Sequence, residues 1–133
     1  MLIRDVMTTN PITARPWSTI GQVAETLLRE DIRHLPIVDA GAVVGVISDR
    51  DVRQFMRDTL FSDSPQAQRH LGAPVTSIMS TDVIDAAADD DVDVAIERMV
   101  EHKIGAVPVV DGDGVLVGIL STHDVLRVAL GRL

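Results

Sequence analysis

Slid along itself by 72 residues, this 133-residue chain superposes on its own second half. Met7 falls on Met79, Thr9 on Thr81, Ala14 on Ala86, Glu25 on Glu97, Ile32 on Ile104, Pro36 on Pro108, Val38 on Val110 and Asp39 on Asp111. One residue is inserted at Gly112-Asp113-Gly114, and beyond it the offset becomes 73. There Val44 meets Val117, Gly45 meets Gly118, Ser48 meets Ser121, Asp51 meets Asp124 and Val52 meets Val125. Matches spread along both halves, broken by one slip in a Gly/Asp turn, mark an internal duplication. Whatever one half folds into, the other half folds into as well.

Each half reads as β-α-β-β-α. A short apolar strand comes first, Ile12–Ala14 or Val83–Ala86. A helix follows, with Ile20, Val23, Ala24, Leu27 and Leu28 at helical spacing in one copy. Val92, Ala95, Ile96, Met99 and Val100 do the same in the other. Ser18 or Thr19, and Asp90 or Asp91, are the natural N-caps. Two apolar strands then pair through tight turns: His34–Asp39 with Ala42–Ser48, and Ala106–Asp111 with Val115–Ser121. A second helix opens at Asp49 or Thr122, capped by Ser48 or Ser121. This order predicts a mixed α/β (α+β) fold with pseudo-twofold symmetry. Neither half has enough apolar surface alone, so the two sheets are expected to pack together. The predicted boundaries are repeat 1 at 1–56, a polar linker at 57–72 with a helical turn around Gln66–Leu71, and repeat 2 at 73–133.

Composition narrows the function. The net charge of −8 disfavours a broad nucleic-acid surface, which needs clustered Lys and Arg. Trp17, Phe55 and Phe61 are the only aromatics, fewer than a base-stacking surface would use. The absence of cysteine excludes disulfides, thiol nucleophiles and Cys-zinc sites. No apolar run approaches the roughly 18–20 residues that span a bilayer, and the start lacks a signal-peptide layout. A cytoplasmic protein acting on neither membrane nor nucleic acid is expected. No Ser-His-Asp set, Walker loop or dinucleotide glycine fingerprint occurs, so no enzyme activity is expected. His70, His102 and His123 lack zinc-ligand spacing. Met7, Met56, Met79 and Met99 read as core fillers. Asp89-Asp90-Asp91 reads as a helix cap, with a cation site as the lesser alternative.

At this point the residues resemble a known family. Val6-Met7-Thr8, Pro11-Ile12-Thr13, Ile32–Asp39 and Gly45–Asp51 form one copy of its pattern. Ile78-Met79-Ser80, Ile104–Asp111 and Gly118–Asp124 form the other. The chain resembles a tandem pair of CBS domains (a Bateman module) over essentially its whole length. It looks most similar to the stand-alone, acetoin-utilisation-type pairs. The resemblance implies a regulatory module that binds an adenosine-containing ligand in clefts between the repeats and dimerises. The candidate ligands are AMP, ADP and ATP, followed by S-adenosylmethionine or NAD, and no cofactor is required. The regulated protein is expected on another polypeptide.

Two segments carry the chemistry. Ser48-x-x-Asp51 and Ser121-x-x-Asp124 each leave a strand and open a helix, whose N-terminus favours phosphate. The Asp can accept from both ribose hydroxyls, or it can bond back to the cap as a capping box. Arg33, His34 and Arg50 supply potential phosphate cations, or they pair with Glu30, Asp31 or Asp49. In the second copy Gly105 and Ala106 replace Arg33 and His34, and His123 replaces Arg50. Asp85 stands where Thr13 stands in the first. There it either repels a phosphate or accepts from an adenine amino group. The resemblance implies that one cleft combines Thr13 and Ile32 with Ser121, His123 and Asp124. The other combines Asp85 and Ile104 with Arg33, His34, Ser48, Arg50 and Asp51. Occupancy of one cleft alone is compatible with that inequality. The competing reading is a ligand-free interaction module that dimerises through Val125, Leu126, Val128, Ala129 and Leu130.

Overall fold

The computed structural model describes residues 1–60 and 70–131. Most of the expected turn around Gln66–Leu71 therefore lies outside the described residues. In chain order the elements are β1 (Thr8–Thr9), α1 (Ile20–Arg29), β2 (His34–Asp39), β3 (Ala42–Ser48) and α2 (Asp49–Leu60). The second half gives β4 (Ala86–Ala87), α3 (Val92–His102), β5 (Ala106–Val110), β6 (Leu116–Ser121) and α4 (Thr122–Ala129). Single 3-10 turns at Ile3–Asp5 and Val75–Ser77 occupy matching places. The mixed α/β class expected from the pattern is the one formed.

The chain divides into two compact units that are not contiguous segments. One unit contains Met1–Pro11, Ala40–Val43 and Ile84–Leu133, and the other contains Ile12–Asp39 and Val44–Val83. In each, a leading segment from one repeat joins the body of the other. The backbone bonds that achieve this are themselves duplicated. Val92 N–H donates to Met1 C=O at 2.9 Å, as Ile20 N–H donates to Ala73 C=O at 2.9 Å. Ile3 N–H donates to Asp90 C=O, as Val75 N–H donates to Ser18 C=O. In the first unit the sheet order is β1-β6-β5-β4. In the second, β2 and β3 pair, Ala14 bridges Ile37 in parallel, and Ser80 bridges Val46 antiparallel, repeating that order.

The expected first strands are shorter than the apolar runs suggest, and proline is the reason. In a parallel ladder the carbonyl of residue 12 would accept from the N–H of residue 36, but Pro36 has none. Only Ala14 pairs, donating to Pro36 C=O and accepting from Val38 N–H. Pro16 then lacks the N–H that would extend the ladder. In the second copy Pro108 likewise blocks pairing at Ile84, so β4 begins at Ala86. Ala88, which stands where Pro16 does, continues it by donating to Val110 C=O.

Each unit has its own core. In one, Ile3, Val6, Ala86, Val92, Ala95, Met99, Val107, Val109 and Leu120 are buried together. In the other, Val23, Leu27, Leu35, Ile37, Ile47, Val52 and Val75 are. Met7, Met56 and Met79 pack against these cores and Met99 lies within one, as expected of gap-filling thioethers. Leu28 and Val100 are corrections to the predicted helix faces, at 84% and 74% exposed. Each follows a buried residue, Leu27 or Met99, and a step of about 100° turns it off the core.

The caps are those predicted. Thr19 accepts from Gln22 N–H while Gln22 bonds back to Thr19 N–H, and Asp91 accepts from Asp93 N–H. The N-terminal amine also lies on Asp91, so both donors hold that carboxyl below its usual range. Asp90 accepts from Ala87 N–H and Asp89 pairs with Arg4, so all three acidic side chains serve local structure.

Candidate functional site

Strands β3 and β6 run directly into helices, and at both junctions the Ser-x-x-Asp segment forms a reciprocal box. Asp51 accepts from Ser48 N–H at 2.8 Å, and Ser48 Oγ accepts from Asp51 N–H at 3.2 Å. Asp124 accepts from Ser121 N–H at 2.9 Å, and Ser121 Oγ accepts from Asp124 N–H at 3.2 Å. A backbone bond then ties each helix start to the strand before it. Asp49 N–H donates to Arg33 C=O and Thr122 N–H donates to Gly105 C=O, both at 2.9 Å. Thus Ile32, Arg33 and His34 are brought beside Ser48–Asp51, and Ile104 and Gly105 beside Ser121–Asp124. Thr13 is exposed and sits next to Ala14, on the edge of β2 away from β3. Asp85 is exposed just before β4, its carbonyl accepting from Arg98.

The first copy is rich in charge. Arg33 reaches Asp49 at 3.5 Å but is 76% exposed, and Arg53 shares the same carboxylate at 3.4 Å. Arg50 is exposed and forms no ion pair with the described residues. His34 is half-buried among these groups. Burial pushes its pKa down, Asp49 and Asp51 push it up, and Arg33 and Arg50 push it down again, with a net lowering. A depressed folded-state value means that the unfolded chain binds more protons once the pH falls below about 6.5. Stability from this group is therefore complete above that value and declines as pH falls through the folded pKa. Thermal melts between pH 7.5 and 5.5 should show that decline, and His34→Gln should flatten it. An unchanged slope in the variant would remove His34 as its source.

The second copy is built differently. His123 is exposed and no cation stands at Gly105 or Ala106. Asp124 is only 4% exposed. Its Oδ2 accepts from the Ser121 hydroxyl as well as the N–H, and its Oδ1 takes Arg127 at 2.6 Å and the Thr8 hydroxyl at 3.5 Å. Sequence reasoning passed over Thr8 and Arg127. The i,i+3 spacing of Asp124 and Arg127 was the available signal for the second, since residues so spaced are neighbours on a helix.

The CBS domain pattern matches residues 3–58 and 75–131, and the chain belongs to the CBS-domain family. It is similar to the CBS domain pair of protein MJ0100 solved with 5′-methylthioadenosine and S-adenosylmethionine, at 32% identity and TM-score 0.82, covering 100% of this chain and 98% of that one. It is also similar to CBSX2 solved with AMP, at 28% identity and TM-score 0.82, covering 98% and 96%. The acetoin utilisation protein AcuB from Vibrio cholerae matches at 32% identity and TM-score 0.81, covering 98% and 91%. Among curated relatives, L-aspartate semialdehyde sulfurtransferase of Methanocaldococcus jannaschii is 32% identical over 98% of this chain, which spans 24% of that protein. CBS domain-containing protein YhcV of Bacillus subtilis is 30% identical over 92% of this chain and 81% of its own length. No helix among the described residues is long and apolar enough to cross a membrane.

Proposed function

We propose that this protein is a non-catalytic regulatory module that binds a small adenosine-containing ligand at its strand-to-helix junctions. The observation that carries the reading is its full-length likeness to two CBS pairs whose solved structures hold AMP or adenosyl compounds. The chemistry of this chain agrees with it. A helix start offers N–H groups and a partial positive charge to phosphate, and Ser48 and Ser121 add hydroxyls. Asp51 and Asp124 stand in the places of ribose acceptors, with Thr13, Ile32, Asp85, Ile104 and Gly105 as candidates to line the base and sugar. Arg33, His34 and Arg50, with His123 in the second copy, favour a phosphate-bearing ligand. AMP, ADP and ATP therefore come ahead of S-adenosylmethionine, which carries a positive charge of its own, and of NAD.

The matched enzymes share with this chain only the segment it covers, about a quarter of the sulfurtransferase, and that part is the CBS pair. A ligand bound there acts by shifting a conformational equilibrium that a partner protein reads. Pairing of two copies belongs to the same reading. Leu126 and Leu130, 62% and 69% exposed on or beside α4, are the side chains it would cover.

Thermal-shift measurement against AMP, ADP, ATP, NAD and S-adenosylmethionine tests the proposal. A ligand at about 100 times its Kd adds about 2.7 kcal/mol of stability. For a chain of this size that corresponds to a rise in Tm of roughly 5–10 °C. No rise with any of the five at millimolar concentration would sink the binding function and leave an interaction module.

A further inference from the structure

We infer that the two junctions are unequal, the second being held closed by the protein's own Arg127, so that one chain takes one adenosine ligand and Arg127 sets that number. This rests on the nucleotide reading above. A carboxylate that grips a ribose diol needs an oxygen with lone pairs turned to the ligand. Asp124 has none to spare. One oxygen takes the N–H and the hydroxyl of Ser121, at 2.9 and 3.0 Å. The other takes the guanidinium of Arg127 at 2.6 Å and the hydroxyl of Thr8 at 3.5 Å. The carboxylate is 4% exposed, so its end of the charge-assisted bond is sheltered, while the Arg127 side chain covers it from a position 45% exposed. A sugar reaching Asp124 must first displace a bonded cation from a buried anion.

Asp51 occupies the equivalent place under other conditions. Among the described residues only its Oδ2 is engaged, by Ser48 N–H, and the residue is half-buried. Gln54 stands where Arg127 stands, and its amide turns away to Asp58 at 3.2 and 3.4 Å. The lock is therefore written in one substitution between the copies, Gln54 against Arg127. The cations point the same way, since Arg33, His34 and Arg50 flank Asp51 while Gly105, Ala106 and His123 flank Asp124.

Titration calorimetry with AMP on wild type, Arg127→Gln, Arg127→Lys, Asp124→Asn and Asp51→Asn reads this directly. Melting curves without AMP identify which variants are folded. The expected stoichiometry is one AMP per chain in wild type and in Asp124→Asn, with the affinity of that one site greatly weakened in Asp51→Asn. Arg127→Gln should bind two. Arg127→Lys keeps a cation on Asp124 and should bind one. Two equivalents in wild type, loss of binding in Asp124→Asn, or one equivalent in folded Arg127→Gln would overturn the lock while leaving nucleotide binding intact. No heat in any of the five proteins from AMP, or from ADP, ATP, NAD or S-adenosylmethionine titrated in its place, would instead overturn the nucleotide reading, and the lock with it.

Discussion

Gly118→Val should lower the melting temperature by about 10 °C. A Cβ at that position would lie 2.9 Å from the carbonyl oxygen of Thr8 and 2.5 Å from the sulfur of Met7. The thioether can swing aside. The carbonyl cannot, because β1 pairs with β6 there, Thr9 opposite Gly118. Relief requires the leading strand to leave the sheet, which draws Ile3 and Val6 from the core they share with Met99 and Leu120. Overpacking typically costs 1–3 kcal/mol and loss of the strand adds to it, so about 3 kcal/mol in all is expected. At this chain length that shifts Tm by about 10 °C. The matching position, Gly45, meets the sulfur of Met79 and the carbonyl of Ser80 in the same way, so Gly45→Val should have a comparable effect. Calorimetry or far-ultraviolet circular dichroism measures both. A melt within 2 °C of wild type would contradict the close approach.

Asp51→Ala should weaken AMP binding by about 100-fold with a much smaller effect on folding. The reasoning separates its two jobs. The carboxylate closes the capping box with Ser48, and losing such a cap costs about 1 kcal/mol. With a ribose bound it would accept two hydroxyl bonds as an anion, each worth about 1.5–3 kcal/mol. The binding loss is thus the larger, and each 1.4 kcal/mol is a factor of ten. Calorimetric titration gives the affinity and a melt gives the cap term. Equal AMP affinity in wild type and variant would remove Asp51 from the ribose role.

The duplication made most of the fold legible. Helix periodicity located α1 and α3, and the span of the β2–β3 hairpin was readable to the residue, because turn chemistry is local. Ala40 and Gly41 both take positive φ, 51° and 85°, the geometry of a tight two-residue hairpin turn. In the second hairpin the Asp111 carboxylate bonds to the N–H groups of Asp113 and Val115. The shortened first strands were written in Pro36 and Pro108, but only knowledge of which carbonyl faces which N–H exposes that. The exchange of leading segments was not legible, since nothing in Met1–Pro11 says which copy it joins. At the site, the spacing of Ser48-Asp51 and Ser121-Asp124 was readable, and both halves of their dual reading matter. The capping box is the state seen here. What separates the copies is Arg127, a side chain outside the repeated pattern whose contact with Asp124 depends on rotamer and burial.

The exchanged segments also impose a timetable on synthesis. Thr8 pairs with Ile119, so the leading strand waits for a partner made more than a hundred residues after it. At 5–20 residues per second that interval is on the order of ten seconds. The unit containing Ile12–Asp39 and Val44–Val83 needs nothing beyond Val83 and can close while the chain is still growing. Ile3 and Val6, both buried at the end, stay without their core until β6 leaves the ribosome. Ile3 and Val6 thus settle later than residues made after them, and for that interval they stand open to chaperones and proteases.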